Sequence, residues 1–207
     1  MNDYQTDDEK VEELKAWWKE NGVSVMVGIG LAVVALFGWE YWKKAQLENA
    51  VQASALYSEV HKNADKSWDI ASSHIIKLQD YYKSTPYAAV ASLKTADVYA
   101  QKGEYEPAVK ALNWVIDNSS EDAYKDLARV RLARVFTAQN KLADAEKLAN
   151  ATYPKAYESI VEEIKGDIFV AQKKLADART AYDKAIVTSK GDTELLKMKR
   201  ANLGEGV

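Results

Sequence analysis

Hydrophobic positions along this chain follow two unlike patterns. Between Asn21 and Trp42 the sequence reads NGVSVMVGIGLAVVALFGWEYW, with no charged residue from Asn21 through Trp39. As a helix, the stretch from Trp18 to Trp39 is roughly 31 Å long, the thickness of a bilayer's hydrocarbon core. Trp17 and Trp18 stand at one edge, and Trp39, Tyr41 and Trp42 at the other. Such amphipathic rings favour the headgroup level. The pattern predicts one transmembrane helix over residues 21–42. A cleaved signal peptide is disfavoured by the acidic approach and the bulky exit Trp39-Glu40-Tyr41-Trp42. A buried soluble helix is disfavoured by the length and the aromatic flanks.

The flanks are helical in period. Upstream, DEKVEELKAWWKE sets Val11, Leu14, Trp17 and Trp18 on one stripe, a short amphipathic helix with Asp7 or Asp8 as its cap. Residues 1–7 read as disordered. Downstream, Ala45, Leu47, Val51, Ala55, Leu56 and Val60 carry the helix on beyond the span. A second helix is predicted around Trp68–Lys83, with Ile70, Ile75, Ile76, Leu78 and Tyr82 apolar, and it stops before Pro86.

Beyond Pro86 the second pattern begins, and it repeats. Ala96, Tyr99, Gly103, Tyr105, Ala108 and Leu112 form one copy. A shift of 37 gives Ala133, Phe136, Asn140, Leu142, Ala145 and Ala149, and a further 33 gives Gly166, Phe169, Lys173, Leu175, Ala178 and Tyr182. Small, aromatic, turn, large and alanine slots recur in order. A period near 34 residues predicts a helix–turn–helix solenoid of tetratricopeptide type, with repeats at about 89–121, 126–155 and 159–190. The small slots let paired helices touch, and the turn slots suit a left-handed backbone. The tryptophan usual near the start of such repeats is absent, since Ser92 and Arg129 occupy its slots. Residues 45–86 read as a degenerate leading pair, and Glu194–Leu203 as a polar-backed terminal cap. The fold class is therefore all-α: one N-terminal transmembrane helix (21–42) after an acidic tail (1–20), then a tetratricopeptide-type solenoid (43–207).

Composition narrows the chemistry. Three prolines in 207 residues favour helix. The net charge is −3. Residues 1–20 hold seven acids and three lysines, whereas residues 43–207 hold 25 basic and 23 acidic groups. The repeat region lacks the basic face that nucleic acid needs. Lysines before and after the span balance, so charge leaves orientation open. No cysteine is present, which removes disulfides and thiolate chemistry. His61 and His74 lie in different helices without a metal-binding context. Walker A, GxGxxG and GxSxG motifs are absent. Neither a cofactor nor an enzymatic activity is expected. The acids Glu162, Glu163, Asp167 and Asp183 read as solvated helix faces, and Tyr81-Tyr82 and Tyr153 to Tyr157 as core or helix-edge aromatics.

What a solenoid offers is surface. By repeat position, Asp97, Gln101, Arg134, Glu163 and Asp167 point into the concave groove. They do not form a basic clamp for a free carboxylate, so a groove of mixed charge fits peptide or protein contact. Within the span, Ser24, Gly28, Ala32 and Ala35 share one face, small enough for close approach by a partner helix.

Four blocks carry a family resemblance: VEELKAWWKENG, LFGWEYWKKAQ, YYKSTPYAAVASLKTADVYAQKGEYEPAVKALNWV and LLKMKRANL. Through them the chain resembles the YfgM family of ancillary SecYEG translocon subunits over almost its whole length. The resemblance implies a bacterial inner-membrane protein, with its tail in the cytoplasm and its repeats in the periplasm. It implies association with the SecYEG translocon, the periplasmic chaperone PpiD and translocating polypeptides, and a link to the Rcs envelope-stress response. No functional residue is carried over. A membrane-tethered receptor with cytoplasmic repeats is the alternative reading.

Overall fold

The computed structural model describes residues 7–64 and 66–204. Residues 1–6, most of the tail read as disordered, lie outside them. The described residues contain nine α-helices and no strand. Contacts divide the chain into two compact units, Met1–Asn49 and Ala50–Val207.

The first unit is helical from Asp7 onward, as part of α1 (Asp7–Asn63). Asp8 is therefore inside the helix and does not cap it. Val23, Val27, Leu31, Val34 and Phe37 are all exposed. The most apolar 18-residue window has a mean hydropathy of 2.1, and 6% of it is buried. The helix is thus long and apolar enough to cross a membrane. At its two ends Asn21 Nδ2 donates to the Trp17 carbonyl at 3.0 Å, and the Trp39 and Trp42 rings sit 5.1 Å apart. Ser24, Gly28, Ala32 and Ala35 lie exposed along it.

The second unit opens with the end of α1 and α2 (Trp68–Tyr81). Three further pairs follow: α3 (Pro86–Gln101) with α4 (Tyr105–Asn118), α5 (Asp122–Ala138) with α6 (Leu142–Ala149), and α7 (Glu158–Ala171) with α8 (Leu175–Thr188). The last helix is α9 (Glu194–Ala201). Consecutive first helices approach one another directly, α3 with α5 and α5 with α7, whereas consecutive second helices make no comparable approach. First helices therefore line the concave side.

Each predicted slot acquires a physical role. Gly103, Asn140 and Lys173 have φ of 75°, 59° and 62°. One residue later, the amides of Glu104, Lys141 and Lys174 donate to the carbonyls of Tyr99, Phe136 and Phe169 at 2.9, 2.8 and 2.8 Å. This is the Schellman ending, in which a left-handed residue lets the next amide reach back to the last turn. Lys102, Lys141 and Lys174 hold their ammonium groups 5.8, 5.9 and 6.0 Å from those same three rings. The alanine slots Ala108, Ala145 and Ala178 are completely buried.

The small slot and the variable slot compensate each other. Ala96 accompanies Leu112, and Ala133 accompanies Ala149. Gly166 accompanies Tyr182, because a Cβ on Gly166 would overlap the Tyr182 ring. A large side chain on α8 is thus matched by the loss of one methyl group on α7.

Several expectations need correction. The second helix stops at Tyr81 rather than Lys83. Val51, Ile70 and Ile76, placed on apolar stripes, are exposed. The second helix of the middle pair is short: α6 ends at Ala149, and Tyr153, Pro154 and a 3₁₀ turn (Lys155–Tyr157) complete that layer. The terminal helix is not polar-backed. Leu196 is its buried anchor, while Leu195 and Met198 remain 61% and 60% exposed. Three apolar side chains within four residues cannot all share one face of an α-helix.

Candidate functional site

The concave side is built by side chains from α1, α3, α5, α7 and α9. Its carboxyl-terminal half is ionic and self-paired. Arg131 on α5 donates to Asp97 on α3 at 2.7 Å. Arg134 on α5 donates to Glu163 on α7 at 2.9 Å. Lys199 on α9 donates to both Glu163 and Asp167 at 2.8 Å. Tyr182 adds its hydroxyl to Asp167 at 2.7 Å. Successive first helices are joined in this way, α3 to α5, α5 to α7 and α7 to α9.

These contacts involve four of the five groove residues suggested by repeat position: Asp97, Arg134, Glu163 and Asp167. Arg134, Glu163 and Asp167 line one cavity of about 600 Å³ together with Thr137, Ala138, Ile164, Leu195 and Lys199. Asp97 is half-buried against Arg131 and does not line that cavity. Gln101 is exposed at the end of α3 and is not brought to the others. Arg131 and Lys199, the partners that complete the ion pairs, escaped the sequence reading. Their separations from Asp97 and Asp167, 34 and 32 residues, are close to one repeat period and carry the signal that was missed.

Electrostatics follow from the pairing. Burial works to lower the Lys199 pKa, but hydrogen bonds to Asp167 and Glu163 outweigh it and raise the value above 10.5. Burial also raises the Tyr182 pKa, and Asp167 raises it further, so the hydroxyl remains a donor. On the α7–α8 seam, Glu162 is 8% exposed. Its carboxylate accepts from Lys165 and Lys184, each at 3.0 Å. Burial works to raise the Glu162 pKa, yet those two lysines lower it below 4.5. The scattered acids of α7 are therefore structural partners of lysine and arginine.

The amino-terminal half of the concave side is aromatic. Tyr57 on α1 and Tyr87 on α3 have ring centroids 5.9 Å apart. Tyr124 on α5 lies within electrostatic range of Tyr57. Burial is the main cause raising the Tyr124 pKa, ahead of Glu121 and Tyr57. All three rings are half-buried. Tyr87, Tyr124 and Tyr157 recur at the repeat's own shifts of 37 and 33, nine positions before each small slot. That periodicity was available in the sequence. Tyr157 differs in donating its hydroxyl to the Ala123 carbonyl at 3.2 Å, and Tyr153 donates to the Leu148 carbonyl at 3.0 Å, as helix-edge aromatics do. Tyr81 is exposed, and Tyr82 donates to Gln52 at 2.7 Å. Among the described residues no group of three or more His, Asp or Glu side chains is arranged to hold a metal ion.

A family model described as a tetratricopeptide repeat-like domain matches residues 15–205. A protein of Escherichia coli named ancillary SecYEG translocon subunit is 30% identical, covering 98% of this chain and 99% of its own length. The chain belongs to that family. A Haemophilus influenzae protein of the same name is 27% identical over 95% of this chain and 97% of its own, and one from Neisseria gonorrhoeae is 27% identical over 94% and 96%. The family match begins at residue 15, so family membership takes in the apolar segment as well as the repeats. No solved structure matches the chain.

Proposed function

We propose that this protein is a non-enzymatic, membrane-anchored adaptor at the SecYEG translocon. The observation that carries the reading is the near end-to-end similarity to ancillary SecYEG translocon subunits, apolar segment included. Residues 1–20 form a cytoplasmic tail, residues 21–42 cross the inner membrane once, and residues 43–207 stand in the periplasm. There the repeats receive translocating polypeptides and pass them to the chaperone PpiD, and the same position links the protein to Rcs envelope-stress signalling. Ser24, Gly28, Ala32 and Ala35 form the face that meets a membrane helix of the channel, since small residues permit close approach. On the repeat side, Asp97, Gln101, Arg134, Glu163 and Asp167 belong to the partner-facing surface, with their ion pairs setting its shape. No cofactor or nucleic acid enters this role.

Two experiments test the reading. Photo-crosslinkers at residues 24, 28, 32 and 35 and along the concave side, introduced in living cells, are expected to give channel adducts and PpiD adducts respectively. Absence of both sets would sink the proposal. Alkaline phosphatase fused after Val207 is expected to be active, reporting a periplasmic domain. An inactive fusion would instead support the receptor with cytoplasmic repeats.

A further inference from the structure

We infer that Tyr57, Tyr87 and Tyr124 form an aromatic platform that binds an extended, uncharged segment of non-native polypeptide. The inference rests on the adaptor reading and names the chemistry of the segment that the concave side accepts.

Three observations support it. The rings come from three adjacent first helices, and two of them are in direct contact. Their hydroxyls make no hydrogen bond to another described residue, unlike those of Tyr153, Tyr157 and Tyr182. A half-buried tyrosine offers a rigid apolar face and a polar rim at little cost in side-chain entropy, which suits both a side chain and the peptide backbone beside it.

Charge selects the occupant. On the same concave side Asp97, Arg131, Arg134, Glu163, Asp167 and Lys199 neutralise one another. A charged segment gains little from those six side chains, whose charges are already matched, and loses hydration beside the rings. An uncharged one loses little. The surface therefore accepts polypeptide by its apolar and aromatic residues rather than by a terminal carboxylate or a charge pattern.

The test uses the full chain in detergent micelles and a fluorescein-labelled, uncharged peptide of about twelve residues rich in Tyr, Val and Pro, followed by anisotropy. Binding is expected to weaken about tenfold or more in Y57A/Y87A/Y124A. It is expected to stay within about threefold in Y57F/Y87F/Y124F, which keeps the rings. Salt raised from about 0.05 to 0.5 M, enough to screen exposed charge, is expected to change affinity less than about twofold. An alanine triple that keeps its helical circular dichroism and binds like the parent overturns the inference, as does a collapse of affinity with salt. Should the alanine triple unfold, photo-crosslinkers at residues 57, 87 and 124 decide, with peptide adducts in support and none against. Retained channel adducts from residues 24–35 without peptide binding remove this inference and leave the adaptor reading. Tyrosine-dependent peptide binding without channel adducts does the reverse.

Discussion

The two units of this chain use apolar residues in opposite ways. In residues 7–49 the large side chains, Val23, Leu31, Val34 and Phe37 among them, point outward along one helix. In residues 50–204 the buried positions are dominated by alanine, with Ala71, Ala88, Ala91, Ala108, Ala128, Ala145, Ala178 and Ala185 at 0% exposure. The first unit is apolar on the exposed surface of a helix long enough to cross a membrane. The second is apolar only at the seams, where small side chains bring helix backbones close and a few large ones, Leu78, Leu112 and Ile164, fill what remains. Hydropathy alone identifies the first unit. Only the periodic placement of small residues identifies the second.

Charge or truncation should therefore act differently in the two places. The double substitution V33R/V34R puts two cations at the middle of the span and should cost about 6 kcal/mol of insertion. The expected result is loss of the protein from the membrane fraction with the repeat domain still folded; retention in that fraction would break the contrast. Leu112→Ala acts on the other side of it. It should lower unfolding free energy by about 3 kcal/mol, measured by urea denaturation, and leave membrane fractionation unchanged.

A finer test concerns the compensation between small and variable slots. Gly166→Ala should destabilise the repeats by about 1–2 kcal/mol, because overlap with Tyr182 outweighs the helix propensity gained. Adding Tyr182→Leu reproduces the Ala96 and Leu112 combination of the first pair and should recover part of the loss. A double-mutant cycle that came out additive would show that the two slots do not sense each other.

Acid should act on the α7–α8 seam. The Glu162 pKa is lowered in the folded state, so its stabilisation is complete above about pH 4.5 and is lost as pH falls through the folded value. Urea midpoints measured from pH 7 to pH 3 should drop in the parent and drop less in E162Q. Equal slopes would remove Glu162 from the acid response. The smallest effect expected is a gain. Lys173 holds φ of 62°, a region that costs a residue with a Cβ about 1 kcal/mol, and Lys173→Gly should return about that amount.

Much of this was legible in the sequence, for identifiable reasons. The span announces itself because no charge interrupts Asn21–Trp39. The turn slots Gly103, Asn140 and Lys173 could be aligned because backbone geometry repeats even where the side chain does not, and all three adopt positive φ. Repeat position also brought Arg134, Glu163 and Asp167 to one cavity. It missed that these charges are matched, since pairing depends on side-chain reach between helices about a repeat apart. It missed the shortness of α6 because Leu142, Ala145 and Ala149 satisfy the period up to the point where the helix ends. The outward turn of Leu195 and Met198 was hidden for a similar reason. An apolar triplet in a short helix indicates that one face is buried without saying which.

The sharing of Glu163 between Arg134 and Lys199 has a consequence for how the carboxyl-terminal end opens. Eight residues are too few for α9 to hold helical structure alone. Its amide protection is therefore set by its grip on α7 and α8: the Leu196 anchor, the Lys199 bridges, the Arg200 bond to Asp183 and the Arg179 bonds to the carbonyls of Leu203 and Gly204. Hydrogen exchange over residues 194–201 then reports on a neighbour's integrity rather than on α9 itself. Any event that loosens the contacts of α9 with α7 or α8 should appear first as faster exchange in α9, before α7 loses protection.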